Sequence, residues 1–166
     1  MARKDKAGGT PATVALARAG VAFDLHPYEQ EAGTGHHAYG LEAVAALGLD
    51  PAQVFKTLVA RVDGRLVVAV VPVSGSLDLK ALAAAAGGKR AEMAESADAE
   101  RATGFVVGGI SPVGHRSRLD VVVDSTATGL GRVYVSAGRR GLQMSLAPGD
   151  LVAVTGARVA PVGRPG

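Results

Sequence analysis

Two long apolar runs joined by Asp63-Gly64 dominate what this chain can fold into. Val54–Val62 and Arg65–Val73 are strand-length and rich in β-branched residues. An Asp-Gly pair between such runs is the strongest short-range signal for a two-residue type I′ hairpin turn. The second run contains Leu66-Val67-Val68-Ala69-Val70-Val71, apolar at every position. Strand side chains alternate between two faces, so a run with no polar face must be covered on both. The hairpin is therefore the middle of a sheet, and the rest of the chain has to supply the covering layers. With 166 residues, 48% of them hydrophobic, a single domain suffices for that.

One residue interrupts the pattern. Alternation puts Lys56 on the same face as Val54, Leu58, Ala60 and Val62. An ammonium on an apolar face is costly unless an anionic group meets it. Either Lys56 is placed there to meet a ligand, or it lies close enough to the strand end to snorkel its head to water. Parity alone weighs the two equally.

The segments around the hairpin alternate between helix and strand signals. Thr10-Pro11 is an N-cap followed by proline at the first helical position, and Gly20 stops that helix. Val21–His26 reads as a short strand ended by Pro27 and Tyr28, and Glu29–His37 as a polar loop. Helices are expected over Leu41–Leu47, Leu77–Ala86 and Glu92–Ala102, and short strands over Asp120–Val123, Arg132–Val135, Leu142–Leu146 and Ala157–Val162. A last helical turn starts at Ala147-Pro148. Residues 1–9 read as a flexible tail and 163–166 as a frayed C-terminus. The interleaving predicts an α+β fold with a mixed sheet that can close into a barrel.

The chain has no cysteine, which removes disulfides, thiolate metal sites and a cysteine nucleophile together. Chemistry must come from lysine, hydroxyls, histidine, carboxylates or backbone amides. Net charge is +3, a balance that permits a phosphate-bearing partner without demanding one. No apolar stretch reaches the roughly 18 residues of a membrane span, and the N-terminus lacks a signal-peptide core. A cytoplasmic protein is expected.

Gly108-Gly109-Ile110-Ser111-Pro112-Val113-Gly114 is the second informative stretch. Its glycines allow either a backbone cradle for a carbonyl oxygen or phosphate, or an ordinary surface turn. It matches neither the Walker A spacing nor a nucleophile elbow. His26, His36, His37 and His115 lack metal-binding spacing and read as loop polar residues. Arg116, Arg118, Arg139 and Arg140 form either a phosphate-facing patch or a solvated surface. Ser136-Ala137-Gly138-Arg139-Arg140-Gly141-Leu142-Gln143 is a tight turn into a strand.

His26-Pro27-Tyr28-Glu29, Val54-Phe55-Lys56-Thr57-Leu58, Leu77-Asp78-Leu79-Lys80, Thr103–Gly114 and Tyr134–Leu142 occur in that order across residues 10–160. Together they closely resemble the YbaK/EbsC family, bacterial Cys-tRNA(Pro) deacylases of the prolyl-tRNA editing superfamily. The resemblance implies a single aminoacyl-tRNA editing domain over residues 10–162, built on a six-stranded mixed barrel-like sheet surrounded by helices, acting without metal or organic cofactor. It implies hydrolysis of mischarged Cys-tRNA(Pro), with the substrate's own thiol attacking the ester, and prolyl-tRNA synthetase as a further partner. By position, Lys56 matches the family's essential lysine, which holds the terminal adenosine and a developing oxyanion, and Tyr28 its active-site tyrosine. Gly108, Gly109, Ile110, Ser111 and Pro112 match the loop that receives the aminoacyl group, and Thr57 and Ser136 match pocket hydroxyls. Where the family pattern has aspartate after Arg-Gly-Leu, this chain has Gln143. Glutamine can position a hydrogen bond but cannot hold an α-ammonium by charge. That departure leaves two alternatives open: a paralogue that binds tRNA or the synthetase without catalysis, and a deacylase for another small amino acid such as alanine.

Overall fold

The computed structural model describes residues 9–29 and 39–165. In chain order these form α1 (Pro11–Arg18), β1 (Asp24–Pro27), α2 (Tyr39–Leu47), β2 (Phe55–Val62), β3 (Arg65–Pro72), β4 (Gly75–Leu77), α3 (Leu79–Ala85) and β5 (Ala91–Met93). There follow α4 (Ser96–Thr103), β6 (Asp120–Asp124), a 3-10 turn (Ser125–Gly129), β7 (Val133–Arg139), β8 (Leu142–Leu146), α5 (Pro148–Thr155), β9 (Arg158–Ala160) and β10 (Gly163–Pro165). The α+β expectation holds.

The hairpin forms as its sequence dictates. β2 and β3 pair antiparallel from Val62↔Arg65 to Phe55↔Pro72. Asp63 and Gly64 both have positive φ, 50° and 86°, as a type I′ turn requires. Val67 to Val71 are all fully buried. Val68 and Val70 face a core shared with α1, β7 and β8, whereas Val67, Ala69 and Val71 face a second core under α3. The apolar run is covered on both faces because two separate cores meet on it.

β6 and β9 add in parallel beyond β3, and β5 pairs with the far end of β2, giving a five-stranded sheet in the order β5-β2-β3-β6-β9. A three-stranded sheet, β1-β8-β7, packs its Val133, Val135, Leu142, Met144 and Leu146 side into the first core. The two sheets touch at the parallel bridge Val54↔Tyr134, where the Tyr134 N–H donates to the Gln53 carbonyl at 3.0 Å. A single six-stranded barrel-like sheet is therefore not what forms among the described residues. The next β7 residue that would pair along β2 is Ser136, where β7 begins a bulge extending to Arg139. A bulge bends its strand and ends the ladder.

Other boundaries also shift. The helix expected over Glu92–Ala102 is split: Ala91–Met93 is captured as a strand by β2, and the helix starts at Ser96. The last helical turn extends to Thr155. Gly163–Pro165, expected to fray, pairs with β4. The buried Asp124 carboxylate holds this segment, accepting from the Val162 and Gly163 N–H groups at 2.9 and 2.7 Å. Of the tail, residues 1–8 lie outside the described residues, as do His36 and His37. No helix of the described residues is long and apolar enough to cross a membrane.

Candidate active site

The site lies where β2 lacks a neighbour. On its outer edge β2 meets β7 only at Val54, and β5 only from Ala60 to Val62. The Ala94 N–H, donating to the Val59 carbonyl at 3.0 Å, is the last bond of the β5 ladder. Backbone groups alternate in direction along a strand, so the N–H and C=O of Thr57 point out of the same edge as the Val59 carbonyl. α4 begins at Ser96, where the next pairing residue would stand, and leaves that edge open. A cavity of about 270 Å³ fills the gap. Because it opens at a strand edge, side chains from both faces of β2 reach it: Lys56 and Leu58 from one, Thr57 and Val59 from the other.

Lys56 shares its face with Ala60 and Val62, as alternation predicts. Its ammonium donates to the Gly75 carbonyl at 2.9 Å, and no carboxylate among the described residues pairs with it. Burial holds its pKa below the ordinary lysine value. A partly desolvated cation with one neutral partner is a ready site for an anionic or electron-rich group. Tyr28, Gly108, Ile110, Ser136 and Gln143 line the same cavity as Lys56 and Thr57. Tyr28 is positioned by β1 running into β8, its N–H donating to the Gly141 carbonyl at 2.9 Å. Ser136 and Gln143 are cross-strand partners, so both project from one face of the β7–β8 pair. Burial raises the Tyr28 pKa, and the Glu42 charge adds to that, outweighing interactions with Gly141 and Gln143 that favour the phenolate. The phenol stays neutral and can donate.

The glycine-rich loop is divided in its roles. Gly108, at φ 93°, and Ile110 line the cavity, but Gly109, Ser111 and Pro112 do not. The Gly109 N–H is used within the turn, donating to the Val106 carbonyl at 2.8 Å. A Cβ on Gly109 would sit 2.7 Å from the Arg139 and Arg140 backbone, so glycine is required for the loop to lie against the β7–β8 turn. Ser111 is fully buried, its hydroxyl accepting from the Val113 N–H at 3.2 Å. His115 Nε2 lies 2.8 Å from the Ser111 carbonyl, which can only accept, so Nε2 carries the proton. Burial lowers the His115 pKa and keeps the ring neutral. Ser111, Pro112 and His115 thus brace the loop from behind. Gly109→Ala is expected to cost about 1–3 kcal/mol through overpacking against main chain that cannot step aside. A lowered urea midpoint with an unchanged m-value checks this.

A second serine–histidine pair lies farther along the same sheet. His26 Nε2 is 2.8 Å from Ser145 Oγ, which also accepts from Arg132 Nε at 3.1 Å, and Arg132 pairs with Asp24. Ser145 is fully buried, with its hydroxyl engaged by both neighbours, so it cannot serve as a nucleophile. Arg116, Arg118, Arg139 and Arg140 are exposed and line no part of the cavity. Among the described residues no group of three His, Asp or Glu side chains is placed to hold a metal ion.

A continuous helix over 92–102 does not predict the cavity wall that Met93, Ala94 and Ser96 form. Four buried side-chain atoms among the described residues have no hydrogen-bond partner: both carboxylate oxygens of Glu42, Thr57 Oγ1 and Gln143 Oε1. Thr57 and Gln143 line the cavity. Orphaned buried acceptors are rare in a folded protein and mark a place where a ligand completes the bonding.

Comparison with known proteins agrees with this geometry. Residues 36–154 match the aminoacyl-tRNA editing domain. An Enterococcus faecalis protein, EbsC, named as a candidate Cys-tRNA(Pro)/Cys-tRNA(Cys) deacylase, is 38% identical over 140 residues, covering 82% of this chain and 85% of its own. A crystal structure described as a candidate trans-editing enzyme for prolyl-tRNA synthetase superposes with a TM-score of 0.79 at 27% identity, covering 92% of this chain and 94% of the other. A scaffold protein used for epitope grafting shares the fold, with a TM-score of 0.80 at 24% identity, covering 93% and 95%. A strand edge opened by β7 and β5, with a lysine, a tyrosine and unpartnered acceptors around it, is thus found in a chain that belongs to the aminoacyl-tRNA editing domain family, of the YbaK/EbsC type.

Proposed function

We propose that the protein is a trans-editing deacylase that removes cysteine from mischarged tRNA(Pro) in the cytoplasm. The observation that carries this reading is the cavity at the β2 edge. At about 270 Å³ it lies just below the usual range for drug-sized ligands, large enough for an aminoacyl group and too small for the nucleotide that carries it. The aminoacyl end enters, and the terminal adenosine stays at the mouth beside Lys56.

In this reading the substrate thiol attacks its own ester carbonyl. A carbon–sulfur bond forms, the ester carbon–oxygen bond breaks, and the thiol proton ends on the ribose oxygen, leaving free tRNA and a thiolactone that water opens. The protein supplies position and charge. Lys56 meets the developing oxyanion or the departing ribose oxygen, and the outward Thr57 N–H and the Gly108 and Ile110 backbone offer donors on the other side. Neutral Tyr28 is placed to hand a proton to the leaving oxygen. Thr57 and Ser136 have no histidine or carboxylate bonded to them among the described residues, so neither is activated as a nucleophile. Selection of tRNA(Pro) is left to contacts outside the cavity, with prolyl-tRNA synthetase as the partner that presents it.

The test is loss of label from Cys-tRNA(Pro) under single-turnover conditions, with Pro-tRNA(Pro) as the control. Rapid loss of cysteine with retention of proline is expected. Tight tRNA binding without ester loss would instead identify a binding paralogue.

A further inference from the structure

Glu42 is an ionisable group near the cavity that the mechanism leaves unused. It stands in the first turn of α2, two residues after Gly40, which lines the cavity. Both its carboxylate oxygens are buried, and among the described residues neither has a hydrogen-bond partner or a paired cation. Its charge is close enough to act on the Tyr28 phenol, which lines the cavity beside Gln143. Burying an unpaired carboxylate is among the most costly things a fold can do, and such charges are normally met by a cation.

The other unpartnered atoms point to the same missing partner. Thr57 Oγ1 and Gln143 Oε1 line the cavity, so all four orphaned atoms can accept and the charge among them is negative. A cationic group rich in donors suits the carboxylate and the amide oxygen, and the Thr57 hydroxyl can accept from it as well. Lys56 does not do so: its ammonium bonds the Gly75 carbonyl and, among the described residues, none of these four atoms. An aminoacyl ester brings an α-ammonium with three N–H donors. The absence of a carboxylate at position 143 removes charge from one wall of the site, and Glu42, whose charge acts on the lining residue Tyr28, brings negative charge back to its neighbourhood.

We infer that Glu42 is the positioning residue that provides the negative charge for the substrate's α-ammonium, with Gln143 Oε1 as the neutral acceptor at the cavity wall. The inference rests on reading the cavity as an aminoacyl site. Glu42 does not touch the reacting atoms; it fixes the amine, and so turns the ester carbonyl and the side chain toward Lys56 and Thr57. Charge at position 42 and charge at position 143 are then alternative solutions to one requirement.

The experiment compares wild type, Glu42→Gln and Glu42→Gln/Gln143→Asp. The probe is the stable amide 3′-(L-cysteinyl)amino-3′-deoxyadenosine, with and without N-acetylation, titrated by calorimetry; single-turnover deacylation of Cys-tRNA(Pro) and N-acetyl-Cys-tRNA(Pro) runs in parallel. Wild type is expected to prefer the free amine, and Glu42→Gln to weaken free-amine binding about 10- to 100-fold, the range for a hydrogen bond to a charged group. Binding of the acetylated probe stays unchanged, and the double variant recovers the preference. Glu42→Gln should melt at the same temperature as wild type or higher, because an unpaired buried charge has been removed. A Glu42→Gln protein that keeps the wild-type preference overturns the inference. So does equal weakening toward both probes, or a lowered melting temperature with no change in preference. A wild type that shows the Glu42-dependent preference but no turnover would sink the deacylase reading and leave the ammonium site standing.

Discussion

Lys56→Ala is expected to slow deacylation of Cys-tRNA(Pro) by at least about 10²- to 10³-fold, the cost of removing one preorganised group from a developing oxyanion. The protein should stay folded. The side chain lies on the α3 face of β2 but near the strand end, and among the described residues its ammonium makes a single bond, to the Gly75 carbonyl. Losing that charge-assisted bond costs about 1.5–3 kcal/mol, while desolvation of an ammonium without a carboxylate partner is relieved at the same time. The two terms oppose, so a melting temperature within a few degrees of wild type is expected. Lys56→Met, which keeps the aliphatic stem, should be equally inactive and at least as stable. Single-turnover rates beside thermal melts separate the outcomes. Turnover retained by either variant would end the assignment of Lys56 to the chemistry.

The second large effect lies in the substrate. Replacing the cysteinyl thiol by a hydroxyl, as in Ser-tRNA(Pro), should lower the rate by more than about 10²-fold even if binding is unchanged. An internal nucleophile held beside its target acts with an effective concentration of about 10⁵–10⁸ M, and a thiol is a few per cent ionised near neutral pH whereas a hydroxyl is not. Among the described residues no histidine or carboxylate lines this cavity to make up the difference. Among the described residues Thr57 Oγ1 lacks a partner, the Ser136 hydroxyl accepts from the Gly138 N–H at 3.2 Å, and His26, on the strand beside Gln143, is bonded to Ser145. Trapping the thiolactone from Cys-tRNA(Pro) would establish the route. Equal rates on the two substrates would mean that water attacks, and the positioned thiol would have no role.

Much of the frame was legible because local chemistry and tertiary demand agree there. Asp63-Gly64 needs positive φ at both positions and obtains it, and the apolar run of β3 needs two cores and meets two. Parity placed Lys56 on the correct face. The misreadings lie where a distant partner decides. Glu92 and Met93 look helical beside Ala94–Ala102 and fall in a strand because the β2 edge takes them. Gly163–Pro165 has no local reason to be ordered; the Asp124 carboxylate and β4 supply one from far along the chain. The loop match marked Gly108–Pro112 as one unit, and only the folded chain divides it into residues that face the cavity and residues that brace it. Glu42 was invisible for the opposite reason: an acid in a first helical turn is ordinary, and only its missing partners make it informative.

The interrupted edge of β2 also bears on how this protein can be made more robust. An unpaired stretch inside a sheet is the first thing a stability-driven redesign would repair, by lengthening β5 through Ala94 to Ser96 so that it pairs with Thr57. Each added bond would strengthen the sheet and fill the cavity from the wall that holds it open. Thermal tolerance and turnover therefore compete for the same few backbone groups. Stabilising changes belong on β3, β6 and β9, and residues 94–96 have to remain imperfect.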